Sequence, residues 1–193
     1  MVKAFEIIMN PSIQKLLNEL ENFGQKNKGY FNIPASTGKF FYNLALISKP
    51  KNILEIGTSN GYSTIWLSEA AKQNKGRVTT IEISDFKVKI AKENFKRSKL
   101  NNIKIIHGDA LKEIPKLDQK YDFMFIDAIK RYYIDYLRLA EKNLKKGSII
   151  VADNAVMFKD KMKNYLNYVE RGKNYSSILV PIGTGVEFSV KLK

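Results

Sequence analysis

Short apolar runs alternate with longer segments of helical period along most of this 193-residue chain, and this alternation constrains its fold more than any other feature. Runs rich in β-branched residues, each followed by a segment with 3.6-residue periodicity, are typical of parallel strands joined by crossover helices. The predicted strands span residues 52–56, 77–82, 103–107, 121–126 and 148–152. The predicted helices span about residues 62–73, 85–98, 110–115, 131–145 and 158–170. In such a sheet, ligands bind beyond the carboxyl ends of the strands.

The two ends of the chain depart from this alternation. Residues 11–23 and 36–48 have the apolar spacing of amphipathic helices, and both precede the first strand. Residues 175–182 and 185–192 are typical of two further strands, and the short connection between them makes the pair antiparallel.

This length is expected to form one domain with a full hydrophobic core. We therefore predict a single doubly wound α/β domain over residues 1–193, with about seven strands and an antiparallel C-terminal hairpin. Residues 1–48 would form an N-terminal helical cover, and residues 49–193 would form the α/β core.

The composition removes several kinds of chemistry. Cysteine is absent and His107 is the one histidine, so a disulfide framework, a thiol nucleophile, a zinc cluster and Ser-His-Asp catalysis all lack their parts. Any metal must then be held by oxygen atoms. No apolar run approaches the roughly 20 residues of a membrane span, and the N-terminus lacks the order of a signal peptide. We therefore expect a cytoplasmic protein without a membrane partner.

The net charge of +14 favours polyanionic partners, because a basic surface gains free energy when it releases counterions from phosphates. Of the 33 basic residues, however, five are arginine and the others are lysines scattered along the whole chain. Planar, bidentate recognition of phosphate usually employs arginine. A solvated, lysine-biased surface is therefore the first interpretation, and a polyanionic partner is the alternative.

A glycine-bearing turn follows the first predicted strand and opens the next helix. Gly57 and Gly61 have the spacing G-x-x-x-G, which is neither the G-x-G-x-x-G of dinucleotide sites nor a P-loop, so a diphosphate ligand is disfavoured. Glu55 precedes the turn, where a carboxylate would repel phosphates but would suit a ligand with an ammonium and a sulfonium group. S-Adenosylmethionine is such a ligand, and Ser63 together with backbone N–H groups could bind its carboxylate.

Acidic residues stand at the carboxyl ends of the next two predicted strands. Glu82 can accept hydrogen bonds from two ribose hydroxyls, Asp109 can accept one from an adenine amino group, and Ala110 leaves room for the ring. Taken singly, each has a simpler explanation: the glycines would only form a tight turn, and the two acids would cap the helices that follow. Because these groups share one edge of three successive strands, we favour a nucleoside site.

The fourth and fifth predicted strands also end in polar residues. Asp127, Asp153 and Asn154 would converge there, and two carboxylates with one amide oxygen suit a hard cation such as Mg²⁺. Lys130 follows Asp127 closely enough for one turn to direct both side chains into one pocket. A nearby dication disfavours the ammonium form, which makes Lys130 a candidate general base. The simpler explanation is two helix-capping aspartates and an exposed lysine.

These segments resemble the cation-dependent, S-adenosylmethionine-dependent O-methyltransferase family that includes catechol and caffeoyl-CoA O-methyltransferases. The matching motifs, in order, are LEIGTSNGYST (54–64), TTIE (79–82), HGDA (107–110), FIDAIK (125–130) and VADN (151–154). The resemblance implies a Rossmann-like methyltransferase fold with cofactor contacts at Ile33, Glu55, Gly57, Thr58, Ser63, Glu82 and Ala110, and Asp109 and Asp127 complete the predicted cofactor set. It also implies metal binding by Asp127, Asp153 and Asn154, with Lys130 as the base and Glu187 near the acceptor.

The reaction implied by this resemblance is methyl transfer to a hydroxyl of a small, catechol-like or otherwise hydroxylated acceptor, assisted by Mg²⁺. Lys130, Asp127, Asp153 and Asn154 would be the catalytic residues. Some bacterial relatives modify a hydroxyuridine of transfer RNA, and the basic, aromatic segment 155–175 could receive such an acceptor, so transfer RNA is the alternative. A noncatalytic nucleoside-binding or RNA-binding module is a third hypothesis. The family also implies a homodimer, with the N-terminal amphipathic helix as its interface.

Overall fold

Seven strands form one sheet in the part of the chain that the computed structural model describes, namely residues 9–27, 29 and 32–193. The strands are β1 (Asn52–Ile56), β2 (Arg77–Glu82), β3 (Ile103–His107), β4 (Tyr121–Ile126), β5 (Leu144–Asp153), β6 (Tyr175–Val180) and β7 (Val186–Lys191). Their order across the sheet is β3-β2-β1-β4-β5-β7-β6. The first five strands are parallel, whereas β7 is antiparallel to both β5 and β6. The predicted doubly wound sheet with an antiparallel C-terminal hairpin is confirmed.

The helices lie before and between the strands. They are α1 (Pro11–Lys26), α2 (Ala35–Ser48), α3 (Tyr62–Lys72), α4 (Asp85–Ser98), α5 (Ala110–Glu113), α6 (Tyr133–Ala140) and α7 (Lys159–Arg171). Short 3₁₀ turns at Ile114–Lys116, Lys130–Tyr132 and Glu141–Asn143 extend or precede them. Residues 1–8 of the predicted helical cover lie outside the described residues. Within the described part of the chain, no helix is both long and apolar enough to cross a membrane.

One predicted helix is too long at its C-terminal end. Residues 131–145 were expected to be helical, but α6 and the 3₁₀ turn after it end at Asn143, and β5 already begins at Leu144. The helix prediction ran too far because β5 starts irregularly. Gly147 has a φ of 84°, and the Lys145 amide donates to the Ser148 hydroxyl at 2.8 Å. This polar stretch lacks the β-branched pattern of a buried strand, so its pairing with β4 was hidden in the sequence.

Apolar side chains cover both faces of the sheet, because successive strand residues point in opposite directions. On one face, Leu17 of α1, Phe41 of α2 and Trp66 of α3 belong to a single buried cluster. On the other face, Leu137 of α6 and Val169 of α7 belong to a second cluster. Burial of each such side chain contributes about 1.5–3 kcal/mol, so the two clusters fix the helices on opposite sides of the strands.

A crevice forms at the carboxyl edge of the sheet, where the helices that follow neighbouring strands pack on opposite faces. β1 lies between β2 and β4, and the helix after β1 packs on one face while the helix after β4 packs on the other. The loops that leave β1 and β4 therefore diverge, and the space between them is where a doubly wound sheet binds its ligand.

Candidate active site

A cavity of about 410 Å³ opens at this crevice. Its volume falls within the roughly 300–1,000 Å³ that is typical of small-molecule sites. The predicted site residues that line it are Ile33, Gly57, Thr58, Ser63, Glu82, Asp109, Ala110, Asp127 and Lys130. Glu55, Asp153 and Asn154 lie outside its wall. The structure therefore brings most of the predicted side chains to one cavity and leaves three beside it.

The turn after β1 requires glycine at two positions. Gly57 has a φ of +98°, and a Cβ atom there would lie 2.1 Å from the backbone oxygen of Asp127. Gly61 has a φ of +87°, and a Cβ atom there would lie 2.5 Å from the ring of Phe95. L-Residues rarely adopt such φ values, and neither site has room for a side chain. Gly57 lines the cavity, and its missing side chain lets the turn after β1 lie directly against the backbone that follows β4.

Glu55 stands behind this wall. It is fully buried, and its carboxylate accepts hydrogen bonds from the Ser63 hydroxyl at 2.6 Å and from the Thr64 hydroxyl. Burial raises the pKa of Glu55 to about 7, although these hydroxyls oppose the shift. Glu55 therefore orients Ser63, which does line the cavity, and its own contact with a cofactor stays a prediction.

Glu82 is held rigidly at the end of β2. The Ser59 amide donates to one carboxylate oxygen at 2.8 Å, and the Ser84 amide donates to the other at 2.9 Å. A carboxylate has about four acceptor positions, so two remain for ligand hydroxyls. Ser84, and not Glu82, is the N-cap of α4. The simpler explanation that Glu82 caps this helix is therefore wrong.

Asp109 does cap a helix. Its Oδ1 atom accepts a hydrogen bond from the Leu111 amide at 3.0 Å, at the start of α5. Ala110 is buried as the first residue of that helix, and both residues line the cavity. The capping bond fixes the Asp109 side chain, so structural and ligand-binding roles are compatible there.

Lys130 and Asp127 form an ion pair at the edge of the cavity. Lys130 Nζ lies 2.8 Å from Asp127 Oδ1, and the two side chains are only 17% and 21% exposed. The centroids of the Tyr133 and Phe158 rings lie 5.5 and 5.8 Å from the same Nζ atom. Aromatic faces attract cations, so the amine is held between two rings and a carboxylate.

One hydroxyl joins the two polar residues at the end of β5. Thr184 Oγ1 donates to Asp153 Oδ1 at 2.9 Å and accepts from Asn154 Nδ2 at 3.0 Å. Asp153 is buried, and Asn154 adopts a left-handed φ of 69°. Burial, and then the negative charge of Asp127, raise the pKa of Asp153 to about 7. The two aspartates therefore lie near enough to repel each other.

This donor set fits a hard divalent cation. Ile126 of β4 pairs with Ala152 of β5, so Asp127 and Asp153 leave neighbouring strands side by side. A dication would remove their repulsion, and hard cations prefer carboxylate and amide oxygens. Among the described residues there is no cluster of three or more histidine, cysteine, aspartate or glutamate side chains. The Asn154 amide oxygen would therefore be the third protein ligand.

Sequence reasoning missed Thr184. Thr184 lies between two glycines in the turn that joins the last two predicted strands, and nothing else in the sequence pointed to a role in the site. The structure also places Glu187 away from the cavity wall: its side chain is fully buried and accepts a hydrogen bond from the Ser177 hydroxyl. Tyr132 and Tyr136, which line the cavity, had no recognisable signal either.

Comparison with known proteins places the chain in a family. The O-methyltransferase family profile matches residues 9–174. Catechol O-methyltransferases from Niastella koreensis and Mycobacterium tuberculosis are 34% and 35% identical over 73% and 64% of this chain. The aligned regions span 66% and 57% of those relatives, so the chain covers less than two thirds of their length.

A solved structure agrees over almost the whole chain. The O-methyltransferase from Bacillus cereus in complex with SAH has a TM-score of 0.80 and 25% sequence identity, and the match covers 97% of this chain and 93% of that one. The resemblance indicated by the sequence motifs is confirmed, and the chain belongs to the O-methyltransferase family.

Proposed function

We propose that this protein transfers a methyl group from S-adenosylmethionine to a hydroxyl of a small hydroxylated acceptor, and that it requires a divalent cation such as Mg²⁺. The position of Asp127 carries the proposal. Asp127 lines the nucleoside-sized cavity, forms an ion pair with Lys130 and lies beside Asp153. One residue thereby joins a cofactor cavity to an oxygen donor set that suits a cation.

S-Adenosylmethionine suits this cavity for three reasons. The cavity has the volume of a small-molecule site, Glu82 offers fixed acceptor oxygens to a ribose, and the glycine turn is not of the diphosphate-binding kind. The related Bacillus cereus protein was solved in complex with SAH, which is what S-adenosylmethionine becomes when it loses its methyl group. This relative supports the same cofactor here.

Cofactor binding would be divided among several fixed groups. Glu82 would hold the ribose, Asp109 the adenine amino group and Ser63 the amino-acid end, while Ala110 leaves room for the ring. Fixing a reactant at several points aligns the methyl group with its acceptor, and alignment supplies a large part of the acceleration in such transfers.

Lys130 is the proposed base. In its neutral form, its Nζ atom would accept the proton of the acceptor hydroxyl at the edge of the cavity. The freed oxygen electron pair would form the new bond to the methyl carbon as the carbon–sulfur bond breaks, which leaves the sulfur neutral. A bound divalent cation would stabilise the negative charge that develops on the acceptor oxygen.

Transfer RNA is the alternative acceptor, and a groove between α6 and α7 favours it. Arg131, Arg138, Asn164 and Asn167 line this groove. The two guanidinium groups lie 4.7 and 4.9 Å from the centroids of the Tyr132 and Tyr168 rings, and a planar guanidinium group can bind a phosphate through two N–H groups. Asp135 lines the same groove and opposes an anion. The small acceptor therefore stays the first proposal.

A noncatalytic module is the weakest of the three hypotheses. A domain that only bound nucleosides would have no need for Lys130 beside Asp127, or for a buried Asp153 paired with Asn154 through Thr184. Because burial of ionised groups costs free energy even when they are paired, these residues would bring little stability to a domain that performs no chemistry.

The helix that the sequence suggested as a homodimer interface, α1, packs within the chain instead. Ile13, Leu16, Leu17 and Leu20 of α1 are buried within the chain itself and belong to the same cluster as α3. The apolar face of this helix is thus already covered. A homodimer through another surface, a single-domain organisation and a cytoplasmic location stay predictions.

The experiment that tests the proposal is isothermal titration with S-adenosylmethionine and then a catechol, with and without Mg²⁺. We expect the wild-type protein to bind the cofactor alone and the catechol only when Mg²⁺ is present. Asp153→Ala should bind the cofactor but not the catechol. Asp160→Ala, which removes an exposed carboxylate of α7, is the matched control and should behave as the wild type. If the cofactor binds but neither the metal nor the diol does, the proposed chemistry is wrong for small diols, and transfer RNA becomes the next ligand to test.

A further inference from the structure

The turn between β6 and β7 is fastened to the segment that follows β5. The Ala155 amide donates to the Gly185 carbonyl at 2.8 Å, and the Val156 and Met157 amides donate to the Thr184 carbonyl at 3.2 and 3.1 Å. A Cβ atom at Gly185 would lie 2.4 Å from Val156. The two segments are therefore in tight contact, and the backbone of Thr184 has a fixed place beside the end of β5.

The turn is also supported from the opposite side. A Cβ atom at Gly183 would lie 2.4 Å from the Thr37 hydroxyl oxygen and 3.1 Å from Pro34. Both residues lie at the start of α2, which packs against α3. The backbone of the turn therefore lies between the start of α2 and the segment that follows β5.

The side chain of Thr184 makes two hydrogen bonds of opposite kind. A hydroxyl has one proton to donate. A carboxyl group that holds a cation is ionised and can only accept, so in the cation-bound protein the Thr184 proton lies on the bond to Asp153 Oδ1. The same Thr184 oxygen can then only accept from Asn154, which requires the amide nitrogen of Asn154 to face Thr184. The amide oxygen of Asn154 must therefore point the other way.

We propose that Thr184 is a positioning residue for the cation site, because its single hydroxyl decides which end of the Asn154 amide faces the cation. The proposal rests on the proposed function, since it concerns the same donor set. Cations bind the amide oxygen and are repelled by the amide NH₂ group. Thr184 also donates to Oδ1 of Asp153, which fixes the orientation of that carboxylate. Without this hydroxyl, the Asn154 amide could rotate and present its nitrogen.

Metal affinity measured on the protein itself tests this proposal. The probe is Mn²⁺, its free fraction is followed by electron paramagnetic resonance in the presence of S-adenosylmethionine, and the variants are Thr184→Val and Thr184→Ser. Loss of a group that orients a metal ligand typically weakens metal affinity about 10–100-fold. We expect that loss for Thr184→Val. Thr184→Ser keeps the hydroxyl and should stay within about threefold of the wild type, since its hydrogen bonds are preserved.

A second background separates orientation from general damage. In Asn154→Asp both side-chain oxygens are equivalent, so there is no amide to orient. Adding Thr184→Val to Asn154→Asp should therefore weaken Mn²⁺ binding less than adding it to the wild type. S-Adenosylmethionine affinity and the midpoint of urea unfolding, measured on all variants, report damage to the fold separately from the loss of metal.

The outcomes distinguish this inference from the function on which it rests. If the wild-type protein binds S-adenosylmethionine but no Mn²⁺, the proposed cation site is wrong and this inference is overturned with it. If the wild type binds Mn²⁺ and Thr184→Val binds it equally well, the positioning role is overturned while the cation site stands. An equal loss of affinity in the wild-type and Asn154→Asp backgrounds would show that Thr184 does not act by orienting the Asn154 amide, which also overturns the proposal.

Discussion

Glu55 is a buried acid whose protonation should be visible in the stability of the protein. Its pKa is raised from 4.5 to about 7, chiefly by burial. The fold favours the neutral form, so the stability contributed by this group is greatest below pH 4.5 and is lost as the pH rises from 4.5 to about 7. Each pKa unit corresponds to about 1.4 kcal/mol, so the effect has a ceiling of about 3 kcal/mol.

Glu55→Gln removes this dependence, because glutamine stays neutral at every pH. We expect the variant to gain stability relative to the wild type between about pH 5 and pH 8, by about 1–3 kcal/mol. Urea unfolding at the two pH values measures the gain. Glu93→Gln, at an exposed position of α4, is the control and should show no such gain. An equal response of both variants would refute the assignment to Glu55.

Gly57 offers a second test at a single residue. Gly57→Ala adds the strain of a positive φ, about 1–3 kcal/mol, and also forces a methyl group against the Asp127 carbonyl. Gly147→Ala adds similar strain at a φ of +84° where nothing lies within 4 Å. The urea unfolding free energy should therefore fall further for Gly57→Ala, and only this variant should lose affinity for SAH in calorimetry. Equal losses in the two variants would mean that the close approach of β1 and β4 is unimportant.

The contact between α2 and α3 depends on the absence of a side chain. A Cβ atom at Gly38 would lie 2.5 Å from the Trp66 ring nitrogen. Alanine would favour the helix by about 1 kcal/mol, whereas overpacking a buried contact costs typically about 1–3 kcal/mol. We expect Gly38→Ala to destabilise the protein, as measured by urea unfolding. Lys39→Ala, at an exposed position of the same helix, should be near neutral, and a stabilised Gly38→Ala would contradict the packing argument.

Helices and strands could be predicted from the sequence wherever the spacing of their apolar residues reflects which side chains are buried. Strands β1 to β4 lie at the predicted residues because each is rich in apolar or β-branched residues and bounded by polar turns. The start of β5 was not predictable, since Leu144–Gly147 pairs with β4 through an irregular turn that depends on Gly147 and Ser148. Local pattern carries no information about a pairing that tertiary contacts impose.

Whole-molecule geometry explains which parts of the site the sequence could predict. Glu82 is the last residue of β2, and Asp109 and Asp127 follow β3 and β4 within two residues, so strand order alone brings them to one edge. Glu55 also ends a strand, but its carboxylate turns inward to Ser63 and Thr64. Thr184 comes from the antiparallel hairpin, whose return to the end of β5 follows from packing and not from any local motif. The sequence therefore lacked two kinds of information: the direction of the Glu55 side chain, and the position of the C-terminal hairpin beside the end of β5.

The overall charge of the molecule permits a last test, which separates a generic basic surface from a specific RNA acceptor. If the small-acceptor proposal holds, transfer RNA binds only through scattered charge, and any two exposed positive charges matter equally. Arg131→Ala with Arg138→Ala removes two charges from the groove between α6 and α7, and Lys92→Ala with Lys104→Ala removes two from the surface of α4 and β3. Fluorescence anisotropy over a salt series should show equal weakening in both double variants, with the slope of log K against log salt changed by no more than about 1.5. A much larger loss for the arginine pair, persisting at high salt, would instead mean that the groove recognises RNA and that the acceptor is a nucleic acid.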